Sequence, residues 1–178
     1  FLDNHLKVKS KDHLFPNISL WNQTTNNWED SDSKESSAWS LHSKGLASIS
    51  HLEGALILLD ESKGDGEVNL VHDPWRPVPA IGGHLSDTPG IANRFDIDIR
   101  PDVAVFTSLP ISTDMRLEGI PILSLGTKCD KESFDLFVAL SIIPSVVENI
   151  VTQISTGALR IPNCKQDIEI NREIRLQP

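Results

Sequence analysis

Tyrosine is absent from this sequence of 178 residues, and methionine occurs once. With no hydroxylated aromatic, stacking and large buried rings fall to four Trp and six Phe. No window approaches the roughly 18 apolar residues of a membrane helix, so no bilayer-spanning segment is expected. Positive charge is scarce, 16 Lys and Arg against 25 Asp and Glu, for a net charge of −9. That balance lacks the basic footprint that grips phosphates or anionic lipid, so neither nucleic acid nor membrane is an expected partner. The two cysteines, Cys129 and Cys164, stand far apart and outside any C-x-x-C pattern. They read as two free thiols in a reducing compartment, hence a cytoplasmic chain, although sequence alone leaves their pairing open. Six histidines lack metal-ligand spacing, and neither metal nor cofactor is expected. The first residues lack the basic stretch and apolar run of a signal peptide.

What the chain does have is a rigid run, His72-Asp73-Pro74-Trp75-Arg76-Pro77-Val78-Pro79-Ala80-Ile81-Gly82-Gly83. Three prolines and two glycines in twelve residues exclude an ordinary helix or central strand. Each proline fixes φ, lacks a donor and pushes the preceding residue toward extended conformations. Such a loop loses little entropy on ordering and can present a fixed surface to a neighbour; the plainer alternative is a long connection between strands.

The remaining pattern is that of short strands. With 39% hydrophobic and 23% charged residues, the composition suits one globular domain. Strands are expected at Asn17 to Asn22, Trp39 to His42, Ala55 to Leu59 and Glu67 to His72, with a polar loop from Gln23 to Ser37 anchored by Trp28. Gly64-Asp65-Gly66 supplies a hairpin turn, and its spacing does not fit a calcium loop. Val103 to Thr107 reads as a strand buried on both faces, and Met115 to Leu125 as an alternating strand broken by Gly119 and Pro121. Ser133 to Ile143 gives the clearest alternation, with Phe134, Leu136, Val138 and Leu140 on one face. Val146 to Ile154 is expected as an edge strand or loop leading into Gly157, and Ile168, Ile170, Ile174 and Leu176 as a last strand. Eight or nine strands, almost no helix and no βαβ rhythm predict an all-β sandwich.

The proline run resembles the D-P-x-x-P-V-P-x-x-G-G motif in the C-terminal domain of the cocaine esterase and X-Pro dipeptidyl-peptidase family of serine hydrolases. Its residues here are Asp73, Pro74, Pro77, Pro79, Gly82 and Gly83. Six further stretches agree in order. Phe1 to Lys7 resembles the last helix of the family's catalytic domain, and Ile18-Ser19-Leu20-Trp21 with Trp28 the opening of the C-terminal domain. Arg100-Pro101-Asp102-Val103-Ala104-Val105-Phe106-Thr107-Ser108 is similar to the family's R-P-D-V strand, and Asp114 to Gly119 to its D-x-x-L-x-G segment. Phe134 to Leu140 resembles the F-x-V-x-L strand, followed by Gly157-Ala158-Leu159-Arg160 as G-x-L-R. Departures are His72 where the family has Tyr, Ser133 where it has Asp, and Asn93-Arg94 near its Asp-Gln-Arg.

The resemblance implies a jelly-roll sandwich of the galactose-binding-like kind over 13–178, with 1–12 the end of a catalytic-domain helix plus a linker. It also implies further strands past the equivalent of Pro178, leaving a sheet edge open to homodimerisation. The implied partner is an α/β-hydrolase domain of the same polypeptide, which would hydrolyse amides or esters through an acyl-enzyme. This chain has no G-x-S-x-G nucleophile turn, so no catalytic residue is expected in it. The pairs His42-Ser43 and Ser50-His51 are neighbours in sequence only. Asp96 and Asp98 would share a strand face and either solvate an edge or hold the nearby Arg94 and Arg100. Ile81, Gly82, Gly83, His84 and Leu85, following the proline loop, are the expected wall of the partner's cleft. Two other roles stand beside this one, a free carbohydrate-binding module using Trp21, Trp28 and Trp75, and a purely structural or dimerising domain.

Overall fold

The computed structural model describes residues 18–22, 24–31, 36–58, 66–83, 86–145, 148–164 and 169–176. Expected features on Phe1 to Asp12, Gly64, Asp65, His84, Leu85, Val146 and Ile168 lie outside those residues. The chain divides into two compact units, Phe1–Ser37 and Ala38–Pro178.

In the first unit, β1 (Ser19–Asn22) pairs antiparallel with β2 (Asn27–Asp30). Asn22 closes the turn, its Oδ1 accepting from the N–H groups of Thr24 and Thr25 and its Nδ2 donating to Glu29. Trp21 and Trp28 stand directly opposite, with ring centroids 5.6 Å apart and planes at 74°. That edge-to-face pair is the kind of cross-strand contact that stabilises a hairpin. A loop is expected at β2 because Asn, Glu and Asp surround its one apolar ring. The strand forms because the register places that ring on Trp21.

The second unit holds β3 (Trp39–His42), β4 (Ala55–Leu58), the single-turn helix α1 (Phe95–Asp98), β5 (Ile122–Thr127), β6 (Phe134–Ser145), β7 (Ile150–Ile161) and β8 (Ile170–Arg175). Strands dominate the described residues, so the chain is all-β. They join two by two, as antiparallel pairs β3-β4, β5-β8 and β6-β7.

The hairpin β6-β7 is the longest element. Its alternation is the expected one, with Phe134, Leu136, Val138 and Leu140 half-buried and Asp135 and Phe137 exposed. Val151, Thr152, Ile154 and Thr156 favour a pleated strand, and β7 runs through Gly157 instead of ending before it. At Gly157 the β8 backbone crosses closely: a Cβ there would lie 2.9 Å from the Arg175 carbonyl oxygen. Ile174 and Leu176 are buried at this crossing, and Ile161 is buried further along β7. Arg160 stands opposite Asp135 at 3.7 Å on the exposed face, a pair of small energetic weight.

Three expectations change. Val103 to Thr107 is half-buried and makes one parallel bridge, Thr107 to Ala55, instead of a doubly covered strand. The turn at Arg100 to Val103 leads directly into it, which leaves no length for a ladder. β5 begins only at Ile122, because Pro121 has no N–H to give; its carbonyl accepts from Leu176 instead. Glu67 to His72 carries no strand.

Candidate functional site

Asp73 starts the proline run as an Asx turn. Its Oδ1 accepts from Trp75 N–H at 2.9 Å and its carbonyl from Arg76 N–H at 3.1 Å. Pro74 to Ala80 are then exposed, with Trp75 91% accessible. One side of this ridge is tied by Arg100. The Arg100 guanidinium donates to Asp102 through Nε at 2.8 Å and Nη2 at 2.7 Å, and Nη2 also reaches the Arg76 carbonyl at 2.5 Å. The paired donors match the carboxylate geometry and join the two motif runs, the proline loop and Arg100-Pro101-Asp102.

Past the ridge the chain turns inward at Ile81, Gly82 and Gly83. Gly83 and Gly90 exchange both backbone hydrogen bonds at 2.9 Å, closing the intervening loop. Beneath them lies Gln153 of β7, 4% exposed. Its Nε2 donates to the Ile81 carbonyl at 2.9 Å and its Oε1 accepts from Arg94 Nη1 at 2.8 Å. Arg94 in turn holds Asp98 at 3.2 Å. Backbone bonds repeat the attachment, Gln153 N–H to the Ala92 carbonyl and Arg94 N–H to the Val151 carbonyl. Asn93 Oδ1 accepts from both Phe95 and Val151 N–H groups.

Asp98 therefore holds Arg94, as expected, while Arg100 takes Asp102. Asp96 and Asp98 lie on α1 and not on a strand face, since Asn93 opens a helical turn that Pro101 follows. Gln153 had no place among the expected site residues. The stretch Val151-Thr152-Gln153-Ile154 mixes polar and apolar residues and gives Gln153 no distinguishing sequence signal.

Elsewhere, hollows of about 450 and 340 Å³ flank β3 and β4, the first lined by His42, Ser43, Lys44, Leu52, Glu53 and Ala55. His42 Nε2 lies 2.8 Å from Ser40 Oγ, and Ser40 is 4% exposed. Ser40 Oγ also donates to the Ile57 carbonyl at 3.4 Å, which ties this pair into the β3-β4 ladder. The nearby Glu53 carboxylate accepts from Ser43 Oγ and from the Lys44 N–H, so it is tied into the local turn. The described residues hold no cluster of three or more potential metal ligands, and no helix among them is long and apolar enough to cross a membrane. Cys129 and Cys164 are free, half-buried thiols.

Among the described residues, three carboxyl groups carry shifts that bear on the acid response. Hydrogen bonds from Arg100 hold Asp102 below the ordinary carboxylate range, and the Ser43 hydroxyl and Lys44 N–H do the same for Glu53. Burial pushes Asp98 up, with Arg94 partly offsetting it. The Asp102 and Glu53 contributions are present above their unfolded values and vanish as pH falls through the lowered folded values. Asp98 acts oppositely, its penalty relieved as pH falls through its raised folded value. Asp102→Asn is expected to lower stability at neutral pH and to flatten the loss below about pH 4, read by unfolding midpoints across pH.

Against known proteins, a family model matches most of the chain. The sequence model of the X-Pro dipeptidyl-peptidase C-terminal non-catalytic domain covers residues 11–178. No curated protein and no solved structure matches the chain.

Proposed function

The chain belongs to the X-Pro dipeptidyl-peptidase C-terminal non-catalytic domain family, and on that premise we propose that it is the accessory domain of a serine hydrolase. It packs on an α/β-hydrolase domain of the same polypeptide and walls that domain's cleft with Ile81, Gly82, Gly83, His84 and Leu85. The hydrolase cleaves X-Pro amides or small esters through an acyl-enzyme, and this domain shapes the acyl or alkyl pocket and excludes water. Its strands belong to a galactose-binding-like jelly roll.

The observation that carries this reading is the double fixing of the 81–83 turn. A proline ridge precedes it, and a buried glutamine and a glycine-glycine bridge hold it from beneath. Fixing of that kind suits a surface that must meet a neighbour in one geometry, because little ordering entropy remains to be lost on contact.

Ile81→Ala, made in the polypeptide that carries the hydrolase domain, tests the wall directly. Steady-state kinetics on X-Pro p-nitroanilides and on p-nitrophenyl esters of increasing acyl length should show selectivity shifted by about threefold to tenfold between small and large substrates. Unchanged ratios with a lowered melting temperature would leave only a docking role.

A further inference from the structure

Gln153 reaches both the Ile81 turn and Arg94. It lies on β7, 72 residues along the chain from the carbonyl it holds. Its amide uses both ends, donating to Ile81 and accepting from Arg94. Buried at 4% exposure, it cannot exchange these partners for water without cost. The Arg94 fork is itself committed, to Asp98 on one side and Gln153 on the other.

We propose that Gln153, oriented by Arg94, is a positioning residue for the hydrolase cleft, fixing the backbone of Ile81 to Gly83 and thereby substrate selectivity. The inference rests on the wall reading above. Gln153 touches no substrate. Its amide donates to the Ile81 carbonyl from the β6-β7 hairpin, so the wall takes its place from β7 as well as from its own loop. A misplacement of the order of 1 Å there changes which substrates fit while the nucleophile is untouched.

The test uses two substitutions in the complete polypeptide. Gln153→Met keeps the volume and removes both hydrogen bonds. Gln153→Glu keeps the acceptor for Arg94 but has no proton to give Ile81, and it serves if the Met variant fails to fold. Amide exchange at Gly83 and Gly90 should accelerate by about tenfold or more, and the small-to-large substrate ratio in kcat/KM should move in the same direction as in Ile81→Ala, chiefly through KM. If Ile81→Ala shifts the ratio and the Gln153 variants do not, the wall stands and the positioning role is overturned. If neither shifts it, the wall reading fails and takes this inference with it. Faster exchange with an unmoved ratio marks Gln153 as structural only and also overturns the proposal.

Discussion

Gly54→Ala is expected to be the more damaging of two glycine substitutions that crowd the backbone of the second unit. Three backbone segments meet at that glycine. Its carbonyl accepts from Thr107 N–H at 3.0 Å, and Val105 N–H donates to the Ala47 carbonyl at 2.9 Å. A Cβ at position 54 would fall 2.0 Å from the Val105 carbonyl oxygen and 3.0 Å from the Ala47 Cβ. Neither neighbour is a flexible side-chain end, and Ala47 is among the buried core residues. The segment after Arg100-Pro101-Asp102 must move away from β4, losing its bridge and both hydrogen bonds. The cost is put at about 3 kcal/mol or more. Thermal unfolding should show it as a fall of roughly 6–12 °C in the midpoint. An unchanged midpoint would mean that residues 105–107 do not lie against Gly54.

Gly82→Val should be the second largest change, and it should act on both stability and selectivity. Gly82 has φ +63, a left-handed conformation that a β-branched residue adopts only under strain. Its added carbon would lie 2.8 Å from the Ala92 Cβ, 2.8 Å from the Gly90 carbonyl oxygen and 2.9 Å from Gln153 Nε2. Relief requires opening the Gly83-Gly90 bridge or displacing the Gln153 amide from Ile81. Stability should drop by about 2–4 kcal/mol. In the complete hydrolase the same variant should erase selectivity between small and large substrates at temperatures where it remains folded. A folded variant with wild-type selectivity would show that the turn does not face substrate.

How much of this was legible in the sequence depended on distance along the chain. Strand β6 could be read directly, because alternation from Phe134 to Leu140 is local and needs no partner to be seen. The proline ridge was legible for the same reason, since Pro74, Pro77 and Pro79 restrict their own neighbours. The short helix Phe95–Asp98 was not, because one turn leaves no periodicity and Asp96 and Asp98 fit a strand equally well. Strand β2 was hidden by its polar residues, and only the pairing of Trp28 with Trp21 reveals it.

The fixing of the candidate site was the least legible part. Arg100 and Asp102 are two residues apart, and their ion pair could be suspected from sequence. The reach of Arg100 to the Arg76 carbonyl spans 24 residues, and that of Gln153 to Ile81 spans 72. Side-chain to backbone bonds of that separation leave no local trace. The motif run Asp73 to Gly83 thus announced a shaped loop without showing what holds it. Two rings of the expected Trp platform, Trp21 and Trp28, pack edge to face on each other and stay exposed, a pairing that no local pattern announced.

The central claim is that this domain shapes a reaction it does not perform. The most direct measurement compares hydrolysis of p-nitrophenyl acetate and Gly-Pro p-nitroanilide by this chain alone and by the polypeptide that carries its hydrolase domain. The account predicts turnover by the longer polypeptide and none above background by this chain. Turnover by this chain alone that disappears in Ser40→Ala or His42→Ala would contradict it and place a catalytic site on β3.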